Sequence, residues 1–224
     1  DGNGKQFLNV TYGNQATQYV AMFGEVGAKA RLHDFTLASG SIGAAGYTAG
    51  IAAEVFGTVE NVVNKAEVTT LKNGYLAGIA AIVKKGGRLI NCRNEGTITP
   101  TANYAAGVAY SVEQGGVVDG CVNVADITSA KDYLGGVVAT SAGVVRNCVN
   151  RGAISGKTNV GGVIGAVAGA DSTLNCLNEG AVTASAGRVG GIVGYKSATA
   201  DPSVLVGCHN TGLITSAKGA VGGV

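Results

Sequence analysis

The sequence predicts an all-β fold: a parallel β-solenoid (β-helix-like) of about seven to eight coils, with one coil per repeat of about 28 residues. Three columns of recurring residues predict it. First, Asn91-Cys92-Arg93-Asn94 recurs as Gly120-Cys121-Val122-Asn123, Asn147-Cys148-Val149-Asn150, Asn175-Cys176-Leu177-Asn178 and Gly207-Cys208-His209-Asn210. All five cysteines occupy this slot, at spacings of 29, 27, 28 and 32 residues. Asn61-Val62-Val63-Asn64 is an earlier copy with valine in the cysteine position. Second, Gly followed by Ile or Val recurs at Gly50-Ile51, Gly78-Ile79, Gly107-Val108, Gly136-Val137, Gly162-Val163, Gly191-Ile192 and Gly223-Val224. Third, Val68, Ile98, Ile127, Ile154, Val182 and Ile214 each follow the last Asn by four residues, and each precedes Thr or Ser.

Each part of the unit reads as strand or turn. Short Val/Ile/Thr runs are bounded by Gly, Asn and Ser, and no apolar stripe of helical period has useful length. One coil cannot bury its own apolar face, so stacking supplies the core. The Ile/Val after Gly, the Cys slot and the Ile/Val after Asn are the expected inward ladders. Gly96, Gly152, Gly180 and Gly212 suit a turn with positive φ. Asn64, Asn94, Asn123, Asn150, Asn178 and Asn210 form a structural ladder, expected to satisfy turn backbone groups and to bond along the stack.

The repeat runs nearly end to end, so residues 1–224 read as one elongated domain. Residues 1–45 are divergent first coils and 46–224 regular repeats. Met22-Phe23-Gly24-Glu25-Val26 reads as a divergent Gly-Ile unit, and Leu32 to Ile42 as a divergent second half. The repeat is cut in mid-phase at both ends, and a piece of a longer chain is the expectation.

Asp1-Gly2-Asn3-Gly4-Lys5, Met22-Phe23-Gly24 and the repeated Gly-Gly-Ile/Val-x-Gly and Asn-Cys-x-Asn-x-Gly-x-Ile-Thr units resemble the GLUG-type repeats of large bacterial surface and secreted proteins. Such repeats occur in gut Bacteroidetes and Firmicutes, including some adhesins and immunoglobulin-A-protease-like proteins. The resemblance covers essentially the whole chain. It implies an extracellular, adhesion-associated β-solenoid segment on the bacterial surface or secreted, and it carries over no catalytic residue.

The net charge is +2 and the charged residues are scattered, so no electrostatic footprint for nucleic acid exists. Lys84-Lys85-Gly86-Gly87-Arg88 is the one tight basic cluster, read as a solvated turn or as a site for phosphate or an acidic glycan. No run of 18 apolar residues is present to span a membrane. Cys92, Cys121, Cys148, Cys176 and Cys208 point the same way in an in-register ladder. They are therefore expected as free, buried thiols packing as small hydrophobes.

No catalytic, cofactor-binding or metal residue is expected. Glu60 shares a column with Asp119, and Glu67 with Asp126, each pair two coils apart at about 9.6 Å. That touches the upper edge of the inverting-glycosidase range, about 6.5–9.5 Å, but the coils between contribute Ile90 and Thr97. Glu95 and Glu179 stand three coils apart. His33 and His209 are isolated. The Thr/Ser column is too narrow for a flat hydroxyl array. Alternation along a strand sends Ala52, Ala80, Ala109, Val138, Ile164 and Val193 outward, as an apolar candidate partner stripe or a strand buried on both sides.

The function expected is a non-catalytic bacterial surface or secreted module, an adhesion-type binding surface or rigid stalk. Its partners would be a host or environmental glycan or protein and further domains of the parent chain. The alternative is a carbohydrate-active β-helix that binds or cleaves polysaccharide, with Tyr104, Tyr110, Tyr133 and Tyr195 as platform residues.

Overall fold

The structure is a computed structural model that describes residues 1–14, 16, 18–72, 74–101, 103–170, 172–197 and 203–223. Val224 of the last Gly-Val pair lies outside them. The described residues form a parallel β-solenoid of about seven turns and no helix. No helix long and apolar enough to cross a membrane is present among them.

A central coil shows the plan. Five short strands follow one another: Tyr104–Ala106, Ala109–Val112, Val117–Asp119, Val122–Asn123 and Ile127–Thr128. Each pairs in parallel with the equivalent residues one coil away, so the period-2 side-chain alternation is copied from coil to coil. The strands line four sheets of 8, 7, 13 and 8 strands among the described residues. The third and fourth strands of the coil share one sheet, because Arg31–Leu37 and Thr58–Asn64 run continuously through both positions in the earlier coils. The divergent first coils keep the register: Phe23 lies against Ala52, Phe35 against Val62, and Val10 against Gly40.

The interior has two compartments. The larger holds the Ile/Val after Gly, the Cys ladder and its predecessors Phe35 and Val62. The smaller holds Val68, Ile98, Ile127, Ile154 and Val182 packed against Leu76, Ala105, Leu134, Val160 and Val189. Between them runs the asparagine ladder. The Asn64, Asn94, Asn123, Asn150 and Asn178 side chains are fully buried. Each Nδ2 donates to the carbonyl two residues on and to Oδ1 of the next rung, at 3.0, 3.1, 2.9, 2.8 and 2.7 Å from Asn64 to Asn210. Oδ1 of Asn64 and Asn123 also accepts the N–H two residues on. Both amide protons of each of these five rungs thus have partners, which is the condition for burying an amide without penalty.

This ladder explains the Gly of Gly-Ile/Val. A Cβ at Gly78 would sit 2.3 Å from the Asn94 side chain and 2.2 Å from the Gly107 carbonyl oxygen, and Gly107, Gly136 and Gly162 meet Asn123, Asn150 and Asn178 in the same way.

Two sequence expectations change. Gly96, Gly152, Gly180 and Gly212 do not take positive φ. They are glycine because a Cβ would lie 1.9–2.0 Å from a carbonyl oxygen of the preceding coil. Positive φ falls instead on the residue before the Cys slot: Asn61, Asn91, Asn147 and Asn175 at 50–54°, Gly120 and Gly207 at 65°. Asp34, before Phe35 in the first copy, takes the same conformation at 58°. The left-handed region admits Gly, Asn and Asp most readily, which accounts for that slot holding only those three residues.

The second correction concerns the stripe. Ala52, Ala80, Ala109, Val138 and Ile164 are fully buried in the larger compartment, and Val193 is half-buried against it. The chain bends at each Gly-Ile/Val pair. Alternation therefore restarts at the corner, and the residues on either side of it both face inward.

Candidate functional site

The outward face of the sheet containing Tyr104–Ala106 carries the most regular surface feature of the molecule. Its first four strands open with a tyrosine pointing away from the core, Tyr19, Tyr47, Tyr75 and Tyr104, and Tyr133 immediately precedes the fifth, Leu134–Gly135. Their rings stack along the axis with centroids 4.8, 4.5, 5.3 and 4.6 Å apart. Three steps are nearly coplanar, at interplanar angles of 10°, 15° and 13°; the Tyr75–Tyr104 step opens to 42°. Tyr110, from the next strand, packs beside that opening, 4.5 Å from Tyr75, 5.7 Å from Tyr47 and 5.6 Å from Tyr104. Beneath it Ala49, Ala81 and Ile82 form a small buried floor.

Before the next two strands, Val160–Gly161 and Val189–Gly190, stand Asn159, which is buried, and Arg188. Arg188 donates to Asn159 Oδ1 at 2.9 Å, and its guanidinium lies 4.2 Å from the Tyr195 ring centroid. Tyr195 is therefore in a cation–π pair on the neighbouring sheet, apart from the ladder. Of the four expected platform residues, the structure brings Tyr104, Tyr110 and Tyr133 together. Tyr19, Tyr47 and Tyr75 were missed, although their spacing of 28, 28, 29 and 29 residues through Tyr133 is as regular as the cysteine column.

The ladder phenols are half-buried except Tyr19, which is 37% exposed. Burial raises the Tyr47, Tyr104 and Tyr110 phenols above the ordinary tyrosine value, most of all Tyr110, and neighbouring tyrosines add to it. These rings stay protonated and neutral, each hydroxyl able to donate and to accept. Lys84 lies alongside, held by Glu54 at 3.1 Å and Glu113 at 2.9 Å. Burial would lower its ammonium pKa, but hydrogen bonds to Glu113 and Glu54 hold it raised. The basic turn therefore offers less free charge than its sequence implies.

The carboxylates are distributed and engaged. Glu60 and Asp119 share a column across Ile90. Arg31 Nε donates to Glu60 at 2.9 Å, and Arg146 Nε to Asp119 at 2.8 Å. Burial alone would raise the Asp119 carboxyl; hydrogen bonds from Arg146 and Asn147 outweigh it and hold it below the usual range. Glu67 accepts from Ser41 and Thr99, and Asp126 accepts the Ala153 N–H. Glu95 pairs with Lys65 and Arg93, and Glu179 with Arg151. His33 Nδ1 lies 2.7 Å from Asp34 Oδ2 and close to Asp1, while Asn61 donates to the other Asp34 oxygen. His209 is exposed on the last full turn.

The cysteines form one stacked column. Cys92, Cys121, Cys148 and Cys176 are buried and Cys208 half-buried, all as free thiols. Cys92 donates to the Ile90 and Val59 carbonyls, and Cys148 to those of Arg146 and Val118. Burial, reinforced by the adjoining thiols, pushes Cys121 well above the ordinary thiol range. The column packs as core.

No family model matches this chain, and no curated protein matches it. Among solved structures it is similar to the crystal structure of a "putative immunoglobulin A1 protease" from Bacteroides ovatus, with a TM-score of 0.66 and 18% identity over 90% of this chain and 72% of that one. The two share the β-solenoid fold.

Proposed function

We propose that this chain is a non-catalytic module of a bacterial cell-surface or secreted protein, of GLUG-repeat type, presenting an adhesion-type binding face on a rigid stalk. The outward tyrosine ladder carries this reading. Core tyrosines are ordinary; five stacked along an outer face, with neutral hydroxyls, form a surface suited to contact. The framework beneath it is fixed by the asparagine ladder and by glycines that admit no side chain. The engaged carboxylates support a passive role, as does their separation: none of the pairs named above is set on adjacent coils without a cation on it. The likeness to the Bacteroides ovatus structure is compatible with this reading through fold alone.

The test is a glycan and host-matrix array probed with the folded domain and with a Tyr47→Ser/Tyr75→Ser/Tyr104→Ser variant of verified fold. Retention by the native domain and loss in the variant is the expected result. Silence across the array would overturn it. So would cleavage of a polysaccharide that disappears when Glu60, Asp119, Glu67 and Asp126 are replaced together; that outcome would make the chain a carbohydrate-active β-helix.

A further inference from the structure

Resting on the binding-face reading, we infer that the tyrosine ladder is a track for an extended, neutral glycan of β-linked pyranose units lying parallel to the solenoid axis, one sugar to each rung. Three observations select this ligand. The first is the step. Rungs recur every 4.5–5.3 Å. An extended peptide presents side chains to one face only every two residues, about 6.6 Å, and stacked nucleic-acid bases repeat at about 3.4 Å. Both drift out of phase within a few rungs. A β-linked pyranose chain advances by one ring length per unit, close to the ladder step.

The second is what the rungs expose. Most ring faces are covered by the neighbouring ring, so the ladder shows solvent a row of phenol edges and hydroxyls. A pyranose chain offers the complement, one apolar ring edge and several hydroxyls per unit. Because burial keeps the Tyr47, Tyr104 and Tyr110 phenols protonated, each can donate to a sugar oxygen or accept from a sugar hydroxyl.

The third is charge. The residues flanking the ladder carry no basic excess left free: Lys84 is held by Glu54 and Glu113, and Asp132, near Tyr104, stands next to Lys131 in the chain. That disfavours nucleic acid and anionic polysaccharide and leaves a neutral chain as the complementary partner. The track ends where Asn159 and Arg188 replace tyrosine and Arg188 is committed to Tyr195.

The experiment measures binding of neutral β-linked gluco- and manno-oligosaccharides of increasing length by calorimetry, with polygalacturonate as the anionic comparison. Affinity is expected to rise with each added sugar until the five rungs are filled, then level off. Tyr133→Ser, at the end of the ladder, should bring the plateau one sugar earlier. Tyr75→Phe, which keeps the ring and removes one hydroxyl, should weaken the longest ligand by about tenfold. Affinity independent of length, an unmoved plateau in Tyr133→Ser, or preference for polygalacturonate would overturn the track. A protein bound on the array with no oligosaccharide binding would overturn the glycan and leave the binding-face reading standing; no binding of either kind would overturn both.

Discussion

Asn150 concentrates the logic of a single position. Its amide donates to Gly152 O and Asn178 Oδ1, both at 2.8 Å, and accepts from Asn123. Truncation strands buried groups on two coils while leaving the fold pattern otherwise intact. Asn150→Ala should cost about 1–3 kcal/mol, read as a shift in denaturant midpoint against Lys157→Ala on the exposed surface. Thr48 is the opposite case. It sits fully buried in the smaller compartment's ladder, paired with Leu76, and its Oγ1 is the one buried side-chain oxygen without a partner among the described residues. Thr48→Val keeps the shape and removes the orphan hydroxyl, so stability should rise by about 1 kcal/mol. An unchanged or lower midpoint would show that the hydroxyl is satisfied in solution.

At the scale of the element, ladders behave as units. The cysteine column faces inward, so a thiol reagent should modify Cys92, Cys121, Cys148 and Cys176 only after denaturation, with Cys208 first because it is half-buried at the last turn. Rapid native labelling of the four would place the column outside. The tyrosine ladder has a pH signature. Folding raises the Tyr47, Tyr104 and Tyr110 phenols above 10.0. The folded state therefore holds protons that the unfolded chain has released. Their contribution to stability is complete below the unfolded value near 10 and is lost as pH climbs through the folded values. Phenolate absorbance of the native domain should consequently lag behind that of the denatured chain in alkaline titration, and the melting temperature should fall over the same interval. Coincident titrations would mean that the rings are solvated.

For the whole molecule, the sequence carried the architecture and part of the site. Repeat columns pass straight into ladders, because stacking in parallel register turns a period in sequence into a line in space. Orientation did not pass so cleanly. Ala52 and Val138 read as outward because alternation was carried across the Gly-Ile/Val bend, where it restarts. Gly96 and Gly152 read as turn residues because close approach to the preceding coil is a contact between distant segments and leaves no local signal. Tyr19, Tyr47 and Tyr75 were overlooked for a different reason: tyrosine at a 28-residue spacing is visible, but its facing outward follows only from the strand on which it sits. Stability should itself be nearly one-dimensional, each coil held by its two neighbours. Amide hydrogen exchange should be slowest in the central coils around Val108–Val145 and quicken toward both ends; uniform protection would point to all-or-none opening.

The Asn–Gly waist also makes length a copy number. Every rung finds its partners one coil above and one below, so duplicating one of the tyrosine-bearing units would insert a coil with the same interior contacts and add a single rung to the tyrosine row. The length of the outer face is therefore set in whole coils, by the number of repeats, with no new interior contact required.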